Sequence, residues 1–297
     1  MPRNQPAPTG LARRRRRLPD EETGRRMLDA ALAMVNDTGL TVSLEHISFE
    51  DVIRDAGVSR SAVYRRWPYK DLFFSDLLRE LAQGMGLDTV TDSAAGVELA
   101  RQLLRDHLDR LDTAEHRHSL FVDMLRQSAL RDFETIYTST QWRTYIALHA
   151  SFLSLADGEL RDDVHTALAA SEQKLVARIS SAYEQLAGLL GYRLRPGLTD
   201  NFETMATLLS ATMQGLVIRT FASTETATRR IQADPFGVGP AEWSQPALGI
   251  VSIAVAFLEP DPTTTWDNEH LATIRQALSQ GGPQTPVADD PPHSDGD

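Results

Sequence analysis

With 297 residues, 41% of them apolar, and a formal charge of −11, the chain is long enough for one large or two smaller folded cores. It contains no cysteine, which excludes disulfides and thiolate metal sites, and its best candidate membrane segment, Ala247 to Leu258, is twelve residues long, too short to span a bilayer. No apolar segment of signal-peptide length follows the N-terminal arginines, so a cytoplasmic location without membrane attachment is expected.

In chain order, residues 1–19 come first as a basic arm, with Arg3, Arg13, Arg14, Arg15, Arg16 and Arg17 and no acid; its Pro, Gly and charge content predicts disorder. Residues 20–85 hold 8 cations and 12 anions, and the remainder holds 16 and 29. The basic material is therefore local, and local fields attract partners while net charge mainly governs solubility. Arginine outnumbers lysine 28 to 2, which suits phosphate recognition, but the bias runs through the whole chain and a GC-rich coding genome accounts for it equally.

Apolar residues recur at steps of three and four almost throughout, with no alternating strand pattern, so the expected fold is all-α. A first helix is predicted over about 20–37, with Met27, Ala30, Ala31, Met34 and Val35 along one stripe. Ser48 suits the N-cap of a second helix at about 49–56. Gly57 and a tight turn follow, then a third helix from Arg60 to about Trp67 and a fourth from about Lys70 to a break at Gly84 and Gly86. Further helices are expected at about 93–112, 116–130, 132–156, 160–190, 200–223, 241–258 and 266–279, with a loop over Asp234 to Pro240. These divide into a first helical domain at 20–86, a larger helical domain at 87–280 and an unstructured tail at 281–297.

The stretch AGVSRSAVYRRWPYK, Ala56 to Lys70, holds four cations and no anion in an acidic protein. Two short helices joined by AGVS make a helix-turn-helix, whose second helix enters a DNA major groove. At 3.6 residues per turn, Val63 and Trp67 would face inward, Arg65 would stand opposite them between Ser61 and Ala62, and Arg60, Tyr64 and Arg66 would flank. Ser61, Ala62 and Arg65 are thus candidates for base reading. Ser59, the flanking Arg60, Tyr64 and Arg66, and Lys70 are candidates for the phosphate backbone, and Arg13 to Arg17 for an arm that strengthens binding through counterion release or a minor-groove contact.

On Val52, Ala56, Gly57, Val58, Ser59, Tyr64, Trp67, Lys70 and Phe73, with Leu72 adjacent, residues 24–83 resemble the tetracycline-repressor (TetR) family of bacterial transcriptional regulators. The resemblance implies an N-terminal three-helix helix-turn-helix domain followed by a larger helical domain that dimerises and binds a small-molecule effector. It also implies phosphate contacts from Ser48, Tyr64 and Lys70 to a double-stranded operator, with Arg60, Ser61, Ala62 and Arg65 in the base-reading region. Three departures stand out: a longer connection between Gly39 and Val52, Trp67 in place of a smaller aromatic, and Tyr69 where a capping serine is common.

For a homodimer, the candidates are Leu208, Thr212, Gly215, Leu216, Arg219, Ile250, Ile253 and Phe257, on two apolar segments. For an effector pocket they are Phe121, Met124, Tyr137, Trp142, Tyr145, His149 and Phe152, where apolar walls mix with polar neighbours. Core packing accounts for these residues equally. The histidines are scattered, the pair Asp162 and His165 stands alone, and no phosphate loop, HExxH motif or GxSxG elbow occurs. No cofactor or metal is expected, and a ligand-responsive repressor is favoured over an activator of the same fold or a helical enzyme.

Overall fold

A computed structural model of the protein describes residues 19–38, 47–83, 102–107, 111, 113–153, 155–198, 201–267, 271–272 and 274–276. Helix α1 spans Asp20–Thr38, α2 Phe49–Asp55, α3 Arg60–Arg66 and α4 Lys70–Gln83. Residues 102–107 form α5, and α6 (Ala114–Thr138), α7 (Thr140–Phe152) and α8 (Glu159–Leu189) follow. The chain then runs through β1 (Tyr192–Leu194), α9 (Glu203–Ala222), α10 (Glu225–Thr228), β2 (Arg230–Ala233), β3 (Ala241–Ser244), α11 (Gln245–Phe257) and β4 (Leu258–Pro260). Residues 1–18 of the arm, the tail, the break at Gly84 and Gly86 and the 39–46 connection lie outside the described residues.

The first four helices share one core. Met27, Ala31 and Val35 of α1 are buried at the predicted spacing and meet Val52, Ile53, Val63, Phe73 and Leu77. Around them stands an aromatic cluster in which Phe49 lies 5.1 Å from Phe73 and Trp67 meets Phe73 edge-on at 5.1 Å. Trp67 is 2% exposed and its Nε1 donates to Asp76 Oδ2 at 2.9 Å, so the buried indole leaves no unsatisfied donor.

The larger set of helices stacks on the first through α4 and α8. Arg79 on α4 pairs with Asp163 on α8 at 2.7 Å, and the buried Ser171 hydroxyl donates to the Ala82 carbonyl at 3.1 Å. Burial of Val164, Leu168, Leu175 and Ile179 marks one stripe along α8, which at 31 residues is about 45 Å long. Helix α11 packs on α6 and α9 with Ala247, Ile250, Val251 and Ala254 turned inward, and no helix among the described residues is long and apolar enough to cross a membrane.

The helical expectation holds, with local corrections. One helix runs unbroken over residues 114–138 where a break near 131 was expected, because the break falls at Ser139. Its backbone N–H closes α6 on Thr135, and its hydroxyl caps α7 by accepting from Trp142 N at 3.3 Å. Residues 241–244 are strand, not the start of a helix: β3 pairs antiparallel with β2, Ile231 opposite Trp243, and the Trp243 Nε1 donates to Ala233 O at 3.1 Å. A second ribbon joins β1 to β4. At the start of α9 the Asn201 Oδ1 accepts from Glu203 N at 3.1 Å. Trp266 precedes the last helical turns rather than opening them.

Candidate nucleic-acid interface

Both short helices of the helix-turn-helix are fixed at their ends. Ser48 caps α2 by accepting from Asp51 N at 3.3 Å, and Ser59 caps α3 by accepting from Ala62 N at 3.4 Å. Between them Gly57 has φ +63°, the left-handed region that a side chain disfavours, with nothing within 4 Å of where a Cβ would sit. The glycine is therefore required by conformation and not by crowding. Trp67, with φ −121° and ψ 89°, ends α3.

Val63 and Trp67 are buried as expected, but Ala62 is buried beside them, so the inward face is broader than those two residues define. Ala62 and Val63 are the buried residues of α3. The outward face is therefore centred about 70° from Arg60, between Tyr64 and Ser61, instead of on Arg65. Arg60, Ser61, Tyr64 and Arg65 are exposed, as are Ser48, Ser59, Arg66 and Lys70. Ala62, expected to touch a base, is 8% exposed and turned into the protein, which removes it from the readers.

Arg66 is also reassigned. Its guanidinium lies over the Trp67 ring at 5.1 Å and fills the space where a Cβ on Gly24 would come within 2.9 Å of it. It staples α3 to α1 while its outer surface stays exposed. Lys70 opens α4, and Tyr69 beside it is 74% exposed, so both project from the same edge. Arg13 to Arg17 lie outside the described residues.

Sequence reading missed the carboxylates that surround this face. Glu50, in the first turn of α2, pairs with Arg60 at 2.7 Å and accepts from the Tyr64 hydroxyl at 3.1 Å. The hydrogen bond to Glu50, helped by partial burial and by the carboxylate charge, raises the Tyr64 phenol above the usual tyrosine range. Asp20, at the start of α1, pairs with Arg65. Only the fold brings these acids to α3; Asp20 stands 45 positions before its partner.

In the larger domain, the pocket candidates are mostly packing. Phe121 stacks on Tyr192 at 4.3 Å and Met124 is buried. Tyr137 lies between Phe133 and Phe221, and Phe152 carries the Arg161 guanidinium at 4.6 Å. Tyr145 donates to Glu172, and the His149 Nδ1 donates to the Tyr145 carbonyl at 3.0 Å. Trp142 lines a cavity of about 40 Å³ with Asp132, Tyr183, Ser210 and Gln214. That is room for a water or two.

A larger cavity of about 320 Å³ lies between α5, α6 and the β2–β3 hairpin, lined by His107, His116, Ser119, Asp123, Arg126 and Trp243 among others. The α6 contributors recur at three and four residues, a polar stripe that could have been found in the sequence; the hairpin that roofs it could not. Arg126 is fixed there by Asp123 at 3.0 Å and the Glu242 carbonyl at 3.1 Å. His118 is held between the Tyr192 hydroxyl at 3.1 Å and the Phe236 carbonyl at 3.0 Å, so it carries its proton on Nε2. Among the described residues no three His, Asp or Glu side chains gather as a metal site.

For the dimer candidates, Leu208 and Arg219 are exposed and Thr212, Gly215, Leu216, Ile253 and Phe257 are half-buried. Ile250, at 4% exposure, belongs to the chain's own core and lines the small cavity, which removes it from the interface set. Ile218 and Phe221, 50% and 52% exposed, lie on the same segment of α9. They belong to a helix apolar on nearly all sides.

No protein-family model matches the sequence, and no curated protein matches it. Among solved structures the chain is similar to reduced NemR of E. coli, at 12% identity over 80% of this chain and 98% of that one, TM-score 0.41. It is also similar to a TetR-family transcriptional regulator from Agrobacterium tumefaciens, at 15% identity over 69% and 90%, TM-score 0.38. A third is SmeT, the repressor of the SmeDEF multidrug efflux pump of Stenotrophomonas maltophilia, at 18% identity over 82% and 95%, TM-score 0.38.

Proposed function

We propose that the protein is a ligand-responsive transcriptional repressor that binds a pseudo-palindromic operator as a homodimer, with α3 in the major groove. The observation that carries this reading is the outward face of α3. Arg60, Ser61, Tyr64 and Arg65 stand together on a helix fixed by Gly57, Ser59 and Trp67, with Lys70 at its edge. Arg65 is the base reader, since a guanidinium matches the two acceptors of guanine; Tyr64, Ser48, Ser59 and Lys70 meet phosphate. A regulator of this kind carries out no covalent chemistry.

The apolar outer stripe of α9, with Leu208, Gly215 and Ile218, supports pairing of two chains, which spaces two copies of α3 one helical turn of DNA apart. The effector site is the 320 Å³ cavity, which is of small-molecule size. Its occupation would be felt at α4 through the helices that pack on α8, and Arg79, tied to both Asp163 and Asp76, sits at that junction. The response is bounded by the effector's difference in affinity between the two arrangements.

Selection of bound duplexes from a random DNA pool tests the reading. Enrichment of two inverted half-sites with centres about 34–36 Å apart is expected. A pool that stays random after successive rounds would remove α3 as a reader of sequence.

A further inference from the structure

The fifteen acid-free residues from Ala56 to Lys70 do not leave α3 free of acids once the chain is folded. Glu50 divides its two oxygens between Arg60, which reaches Oε2 at 2.7 Å, and Tyr64, which donates to Oε1 at 3.1 Å. The turn that carries Glu50 is fixed by the Ser48 cap and by Phe49, whose ring meets Tyr64 edge-on at 5.8 Å. The pair is not sequestered: the side chains of Arg60 and Glu50 are 73% and 47% exposed. A carboxylate thus shares the surface of two side chains assigned to DNA.

We propose that Glu50 is a specificity-determining residue of the DNA interface, holding Arg60 and Tyr64 in one geometry and opposing phosphate beside them, so that it weakens binding to random DNA more than to an operator. The inference rests on the reading of α3 as the DNA-facing helix.

Random DNA is held almost entirely by cations on phosphate. To give Arg60 to a phosphate, the protein must break the Glu50 pair and leave a carboxylate next to the incoming anion, an arrangement of like charges that disfavours the wrong partner. A matched site offers compensation that random sequence lacks. An amino group of cytosine or adenine on the major-groove edge donates to the remaining lone pairs of Glu50, while Arg60 stays where the carboxylate holds it. The same residue is therefore a penalty on most sequences and an acceptor on a few.

The test uses the full-length chain with a labelled operator duplex, taken from the selection above, and a random duplex of equal length, titrated between about 50 and 300 mM salt. Glu50→Gln is expected to bind random DNA about three- to tenfold more tightly at low salt, with the gain shrinking as salt rises. The operator should change less, so that the ratio of the two affinities falls at least about threefold. Glu50→Asp, which keeps the charge, should retain more of the ratio than Glu50→Gln. In Glu50→Gln the Tyr64 phenol should titrate at lower pH than in the unaltered protein, a change that general loosening of the head does not produce selectively. Equal changes on both duplexes, a fall on both, or a gain indifferent to salt would overturn the role of Glu50. If the unaltered protein prefers no duplex, the DNA-facing reading of α3 fails as well, and that result is distinct from a preference that survives Glu50→Gln.

Discussion

Tyr64 stands 45% exposed at the edge of α3 with its hydroxyl on a surface carboxylate, whereas Tyr145, Tyr183 and Tyr192 of the larger domain are all under 9% exposed. The same residue type is displayed in one region and enclosed in the other. In the head, α1 to α4, a small aromatic core supports short helices whose outer side chains carry the chemistry. In the body, α6 to α11, polar groups are turned inward and cavities remain beside the helices. The comparison teaches that the head can be altered residue by residue at its surface, while the body responds mainly to changes in packing and burial.

The largest expected effect strikes the frame of the head. Trp67→Ala empties a site that is 2% exposed and removes the indole donor to Asp76 Oδ2, and should cost about 3–5 kcal/mol. If the regions are separable, thermal unfolding followed by circular dichroism should show an early head transition, abolished DNA binding and a retained helical body. A single cooperative loss of all helix would merge the two regions.

The body's counterpart is alkaline sensitivity. Burial pushes Tyr192 up to about 12, and pushes Tyr145 and Tyr183 higher still, with Glu172 adding to the effect at Tyr145 and Asp132 at Tyr183. In each the fold favours the neutral phenol, so the contribution is complete below the ordinary tyrosine value of about 10 and is lost as pH rises from there through the folded values. Phenolate absorbance of these three should therefore appear together with loss of helix above about pH 10. Their ionisation in a fully helical protein would contradict the enclosed reading.

Smaller effects separate the two surfaces. Ile218→Asp places a charge on the outer stripe of α9 and should weaken self-association by at least about tenfold, or ~1.4 kcal/mol, in sedimentation experiments, with monomer stability little changed. An unaltered association constant would move the dimer contact elsewhere. Lys70→Ala should weaken all duplexes alike and lower the salt slope by about one, and a sequence-dependent loss would make it a reader instead.

Much of this arrangement was legible in the sequence because it is local. Ser48, Gly57 and Ser59 announce the turn through capping and φ preference, and Met27, Ala31 and Val35 announce the buried face of α1 by their spacing. What escaped is short or non-local. Ala241 to Ser244 offers too few residues for a strand period, and its helix-like neighbours absorbed it. Ala62 was turned outward because the inward face was drawn through Val63 and Trp67 alone. Glu50 and Asp20 reach α3 only through the packing of α2 and α1, and no pattern within Ala56 to Lys70 could announce them. The larger cavity needs the hairpin as a roof, so its polar residues on α6 had no visible counterpart in sequence.

The exposed face of α3 as a reader of bases is tested most directly by comparing the unaltered protein with Arg65→Ala on the selected operator and on each of its single-base-pair variants. A loss of about 1–3 kcal/mol on the operator, with discrimination abolished at one base-pair position per half-site and kept at the rest, is the expected result. The same loss at every position, with the pattern of discrimination unchanged, would contradict it.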